Sequence, residues 1–312
     1  MNFLSRSPDQ LQLMDGDQPF VQRGTLDWPL FARLLIEGEP VFGEILADRR
    51  SVGANTVALA TMWSRYQMLH WAVWPDDVYW GALRTAARIA HEEGMRLQWI
   101  VFASTKPGLE WVGMPAGSHW PGIIGIDYQK AHWERLCVTM GDSANVSYIL
   151  ANQPGHPDQP TPTSAELKTF VVPQTGDFPK PLVARNNPHE DKNPILPPLD
   201  FSCYCSSRKF PKGVAELGYS MWNIVWGWQN QAEWPGTRQA SILFEPARVS
   251  EDPSNSGYEW ANPGRWRQMA RSLCFEGTNG GNFYSDQNRY ALPLTGITRN
   301  CAVEFLGNIP PA

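Results

Sequence analysis

The residues able to do chemistry in this chain are few, and two groups stand at the ends of apolar runs. In SYILANQPGH (Ser147–His156), an apolar stretch leads into the amides Asn152 and Gln153, and Pro154-Gly155 ends it as a turn. An amide donates and accepts hydrogen bonds but releases no proton at accessible pH. In QASILFEP (Gln239–Pro246), Glu245 closes the apolar run, so its carboxylate can reach the end of a strand. Taken locally, Glu245 reads more readily as a loop residue paired with Arg248, and Asn152-Gln153 as a polar turn. Other chemistries find less support. His70, His119, His132, His156 and His189 form no i,i+4 metal pair with carboxylates, and His132, in the helical stretch HWERL, reads as exposed. There is no Gly-x-Ser-x-Gly elbow, and no cysteine stands at a plausible helix N-terminus.

Composition bounds the setting for these residues. The chain has 312 residues, 42% apolar and 18% charged, which is enough apolar material for a sizeable core and too little charge for disorder. A net charge of -5 with no Lys/Arg block argues against nucleic-acid or acidic-membrane partners, which need concentrated positive charge. No apolar run approaches the roughly 20 residues that span a bilayer. The N-terminus, MNFLSRSPDQ, lacks the basic region and apolar core of a signal peptide, so the expectation is a protein kept inside its cell or a mature secreted form. Five cysteines without ligand spacing argue against a disulfide framework or a zinc site; Cys203 and Cys205 read as small hydrophobes on one strand face, and a bridge of the Cys205/Cys301 kind stays open. Tryptophan is abundant, at 15, more than a core needs; flat rings with a polar edge suit sugars or partner proteins.

The elements that must position these residues alternate. Strand patterns fall at Pro19–Gly24, Asn55–Trp63, Arg96–Ser104, the run into Gln153, Pro181–Asn187, Leu199–Ser207, Gln239–Pro246 and Gly280–Gln287. Helical spacing fills much of the intervening sequence: the stretch from Trp28 to Gly53, DVYWGALRTAARIAHEEGM with Gly94 as its C-terminal cap, YQKAHWERLCVTMG, GVAELGYSMWNIVWGWQNQAEW and PGRWRQMARSLCFEG. Eight such strands in about 300 residues fit a closed parallel α/β barrel of one domain over 1–312. An open doubly wound sheet would alternate similarly, but no strand runs into a Gly-rich phosphate turn.

The order of these motifs resembles the retaining (β/α)8 (TIM barrel) glycoside hydrolases of clan A, the cellulase and mannanase type. LMDGDQPFVQRG is similar to their first strand, GANTVALATMW to the second, and YWGALRTAARIAHEEGMRLQWIVF to the next helix and third strand. ILANQPG aligns with the fourth-strand Asn-Glu-Pro, and SILFEP with the seventh strand that ends in the nucleophile. What the resemblance implies is double displacement on a β-linked glycan, with two carboxyls about 5–5.5 Å apart at the C-terminal rim and no cofactor or metal. Glu245 is then the nucleophile and Gln153 holds the acid/base position. Asn152 would hydrogen-bond the sugar 2-OH, and Tyr204 would hydrogen-bond Glu245. Trp63 would floor a subsite, with Trp28, Trp111, Trp120 and Trp234 as further stacking rings. Phe283 or Tyr284 would lie under the reactive sugar, and Arg23 would support the nucleophile side by ion pairing.

Gln in place of Glu has three explanations: an engineered change that holds an uncleaved ligand, a natural non-catalytic relative that binds glycan or serves in assembly, or a substrate whose good leaving group needs no acid, as in plant myrosinases. Further departures from the pattern are Ala58 where many family-5-like members have Arg, Cys203 where many have His before the strand-six Tyr, and Phe283-Tyr284 where strand eight usually presents Trp.

Overall fold

The computed structural model of the chain describes residues 1–9, 12–61, 75–102, 126–152, 164–167, 169–173, 176–187, 201–205, 241–245, 249–251, 259–272 and 278–309. Its strands are β1 (Leu4–Arg6), β2 (Leu13–Asp15), β3 (Gln18–Phe20), β4 (Gln22–Leu26), β5 (Thr56–Ala60), β6 (Arg96–Phe102), β7 (Val146–Asn152), β8 (Val183–Asn187), β9 (Phe201–Cys205), β10 (Ser241–Glu245), β11 (Val249–Ser250), β12 (Glu259–Trp260) and β13 (Thr278–Phe283). Eight of them pair in parallel in the order β10-β13-β4-β5-β6-β7-β8-β9 and close into a ring. β7 and β10 are the fourth and seventh barrel strands in chain order. The first strand pattern, Pro19–Gly24, is divided in two: β3 joins an antiparallel sheet with β1 and β2, and the barrel strand begins at Gln22.

The helices are α1 (Leu30–Glu37), α2 (Glu39–Ser51), α3 (Asp76–Glu92), α4 (Ile126–Thr139), α5 (Ser164–Leu167), α6 (Pro263–Ser272), α7 (Asp286–Arg289) and α8 (Gly296–Asn308). The stretch from Trp28 to Gly53 forms two helices, because Gly38 takes φ +90 between them and Pro40 starts the second, where its missing N–H costs nothing. α3 ends as expected at Gly94, φ +69, with the Met95 N–H on the Ala90 carbonyl at 2.7 Å. α8, not anticipated from the sequence, buries Thr298, Cys301, Ala302, Phe305 and Leu306, an i, i+3, i+4 stripe. The helix expected at GVAELGYSMWNIVWGWQNQAEW lies outside the described residues. So the ring of strands is seen, whereas no helix between β8 and β10 is among the described elements. Among the described residues no helix is long and apolar enough to cross a membrane.

Neighbouring residues of a strand face opposite sides, and the barrel shows both sides clearly. Gln22 Nε2 donates to Gln98 Oε1 (3.2 Å) and to Asn282 Oδ1 (2.7 Å), joining β4, β6 and β13 across the lumen. The next residue, Phe283, faces outward, edge-on to Trp266 of α6 at 5.0 Å and near Phe305 of α8 at 6.3 Å. Trp99, next to Gln98, meets Phe31 of α1 at 5.3 Å. Two glycines make the β13–β4 seam possible. A Cβ on Gly24 would lie 1.8 Å from Asn282 Oδ1, and one on Gly280 (φ +95) would lie 1.9 Å from the Gln22 carbonyl oxygen. Below the barrel, Arg96 fastens the β1–β3 sheet: its guanidinium pairs with Asp15 at 2.7 Å, donates to the Asn2 and Ala144 carbonyls, and lies over the Phe20 ring at 5.2 Å.

Candidate active site at the C-terminal rim

In a parallel barrel all eight strands end at one rim, where loops open the space in which chemistry can occur. Asn152 is the last residue of β7 and Glu245 the last of β10, so both stand at this rim. Each is reached through a register shift. β7 slips against β8 between Ile149 and Asn152, pairing Asn152 with Asn186. β10 slips against β9 between Leu243 and Glu245, pairing Glu245 with Cys205, while Tyr204 pairs with Leu243. Such irregularities re-aim the terminal residue of a strand, and they are common beside active sites. Gln153 and Trp63 lie outside the described residues, as do Trp111, Trp120 and Trp234.

Several sequence expectations are corrected here. Phe283 is fully buried between β13 and the helices α6 and α8, on the outer face of the barrel, so it cannot lie under a sugar in the mouth. Trp28 and Tyr284 stand at the rim but are each 5% exposed, so little of either ring is open to a ligand. Arg23 follows the lumen-facing Gln22 and faces outward near the start of β4, where Nη2 donates to the Ile309 carbonyl at 3.4 Å; it is far down the strand from the rim. His132 is buried, not exposed: it packs among Tyr79, Trp80 and Phe102, because α4 turns the face bearing His132 and Leu136 inward. Cys301 is a free buried thiol, which closes the option of a bridge to it.

One rim feature has no counterpart in the sequence reading. Asp27, directly after β4, is completely buried, as is Arg49 of α2, and they pair at 2.7 Å. Asp27 also accepts from Thr25 Oγ1 (2.7 Å) and Asn288 Nδ2 (3.0 Å). Arg49 further donates to the Leu292 carbonyl and to Asp48, which in turn accepts from Arg299 at 2.7 Å and from the Leu294 N–H at 3.0 Å. Burial works against the Arg49 charge, yet the two carboxylates outweigh it and raise its pKa. The network ties the end of the first barrel strand to the chain that follows the eighth. The only signals in the sequence are an acid after a strand and an arginine pair in a helix, neither distinctive.

The thiols of Cys137 and Cys301 are unsuited to nucleophilic work. Burial, with Glu134 nearby, raises the Cys137 thiol well above its usual range, and burial with Glu251 pushes Cys301 up to about 12. Among the described residues no group of three or more His, Cys, Asp or Glu could hold a metal.

No protein-family model matches the sequence, and no curated protein does. The fold, however, is shared with solved structures. A glycoside hydrolase family 5 mannosidase from Rhizomucor miehei superposes with a TM-score of 0.66 over 98% of this chain and 97% of its own, at 11% identity. A mutant of that enzyme was solved in complex with mannosyl-fructose. This chain shares the barrel fold of that enzyme. The endo-1,4-β-mannanase of the same fungus matches at a TM-score of 0.58 and 13% identity, covering 91% of this chain and 90% of its own. The β-mannanase of the blue mussel Mytilus edulis matches at 0.61 and 10% identity, covering 98% and 96%.

Proposed function

We propose that the chain is a retaining glycoside hydrolase barrel over 1–312 that takes a β-linked glycan of the glucan or mannan type. The observation that carries this reading is the placement of Asn152 and Glu245 at the ends of the fourth and seventh strands of one closed parallel barrel. The likeness to barrels named mannosidase and mannanase supports the glycan class.

Glu245 attacks the anomeric carbon, forming a glycosyl-enzyme ester as the leaving oxygen departs; water then releases the sugar with retained configuration. Asn152 holds the sugar 2-OH, and Tyr204 keeps the nucleophile ionised. The residue at 153 protonates the leaving oxygen and later activates the water. As Gln it can do neither, and a positioned general acid is worth about 10²–10⁴-fold. The chain therefore binds glycan and cleaves poor leaving groups slowly, whether Gln153 is natural or engineered. No cofactor enters this chemistry.

The test is hydrolysis of a β-glycan panel by the chain and by Gln153→Glu, with glycan binding measured in parallel. Activity gained in the variant supports the reading; two inert proteins that bind no glycan overturn it. A natural glycan-binding or assembly role on the same barrel is the outcome if glycan binds, the variant stays inert, and azide fails to accelerate cleavage of an activated aryl glycoside.

A further inference from the structure

We infer that Asn288 is a positioning residue for Glu245, acting through a buried path that runs from β11 to the end of β4. The inference rests on the reading of Glu245 as the nucleophile. Glu245 closes β10, and only Pro246, Ala247 and Arg248 separate it from β11. Val249, the first residue of β11, is held where the eighth barrel strand runs on: its N–H donates to the Tyr284 carbonyl at 3.1 Å, and it forms a parallel bridge with Ser285. The Ser285 hydroxyl donates to Asn288 Oδ1 at 2.7 Å and accepts from the Asn288 N–H at 3.2 Å. Asn288 Nδ2 then donates to Asp27 Oδ1 at 3.0 Å, and Asp27 is locked to Arg49. Val249, Ser285, Asn288, Asp27 and Arg49 are each 0–1% exposed, so no water competes for these bonds.

The seventh strand is the one whose end must hold a reacting atom in place. Four residues beyond Glu245, Val249 is tied through Ser285 and Asn288 to the buried Asp27–Arg49 ion pair. A displacement of about 1 Å at a reacting group can cost about 10²-fold in rate, even when the change is made at a distance. Asn288 touches no substrate in this account; it sets where the strand end rests.

The test uses the chain as it stands with 2-deoxy-2-fluoroglucosyl and 2-deoxy-2-fluoromannosyl fluorides in the β configuration. The Glu245 carboxylate bonds to the anomeric carbon while the C–F bond breaks and fluoride leaves with the electron pair, so no acid at 153 is needed. Labelling is followed by mass spectrometry of the Glu245 peptide. The expected result for Asn288→Ala is a first-order labelling rate about 10–100-fold lower, with the half-saturating inactivator concentration unchanged. Arg96→Met, which loosens the opposite end of the barrel, serves as the stability control and keeps the parent rate. If Asn288→Ala does not fold, Ser285→Ala cuts the same path one link earlier and should slow labelling in the same way. A parent-like rate in either folded variant, or an equal loss in Arg96→Met, overturns the inference while leaving Glu245 as nucleophile. Absence of labelling in every protein, the parent included, overturns the reading of Glu245 itself and the inference with it.

Discussion

Replacing Arg49 by Met tests whether the buried network at the rim behaves as the geometry requires. Both partners of the Arg49–Asp27 pair are fully buried, at 2.7 Å, so Arg49→Met leaves a carboxylate inside the protein without its counter-charge. Breaking a buried pair from one side typically costs about 3–5 kcal/mol. Here Thr25 and Asn288 still donate to Asp27, and Asp48 keeps Arg299 and the Leu294 N–H. The expected loss is therefore in the lower half of that range, about 3–4 kcal/mol. Adding Asp27→Asn removes the stranded charge, so the double variant should lose less than the sum of the singles, with a coupling of about 2 kcal/mol. Urea unfolding followed by tryptophan fluorescence and far-UV circular dichroism measures all three. If Arg49→Met costs under about 1 kcal/mol, the pair is no stronger than an exposed salt bridge, and the argument that it anchors the rim is refuted. Coupling near zero would refute it equally.

Other outcomes follow from the same physics. Gly280→Ala should destabilise by about 2–5 kcal/mol, summing a positive φ with a Cβ driven into the Gln22 backbone, and urea unfolding measures it. Gln153→Glu should raise hydrolysis of unactivated β-glycans about 10²–10⁴-fold and change an activated aryl glycoside far less, as initial rates will show. Phe283→Leu should lower stability by about 1 kcal/mol and leave glycan affinity unchanged in calorimetry, since the ring faces the helices and not the mouth. Burial opposes the Asp15 charge, but hydrogen bonds from Arg96 and Asn2 outweigh it and hold the carboxyl below 3.8. That stabilisation is present above the unfolded pKa and is lost as pH falls through the lower folded value. Protection factors against hydrogen exchange in residues 2–6 and 13–20 should therefore fall below pH 4, and in Arg96→Met they should already be low at pH 7.

The alternation of strands and helices was legible in the sequence because each element carries its own signal: an apolar run bounded by turn residues, or a stripe at helical spacing. α3 shows this plainly, with Leu83, Ala86, Ala87 and Ala90 buried and Gly94 ending it. Asn152 and Glu245 were likewise legible as strand ends, since the apolar run before each stops there. The direction a side chain faces was not, because a shift of one residue reverses it. Phe283 looked fit for a sugar platform by type; its neighbour Asn282, committed to Gln22 in the lumen, sends it to the outer layer. His132 looked solvated by the charges beside it, and the packing of α4 against Tyr79, Trp80 and Phe102 buried it. Asp27, Arg49 and Asn288 are ordinary polar residues along the chain. Only closure of the barrel, bringing the first strand beside the eighth, sets them together and excludes the water that would otherwise make their attraction weak.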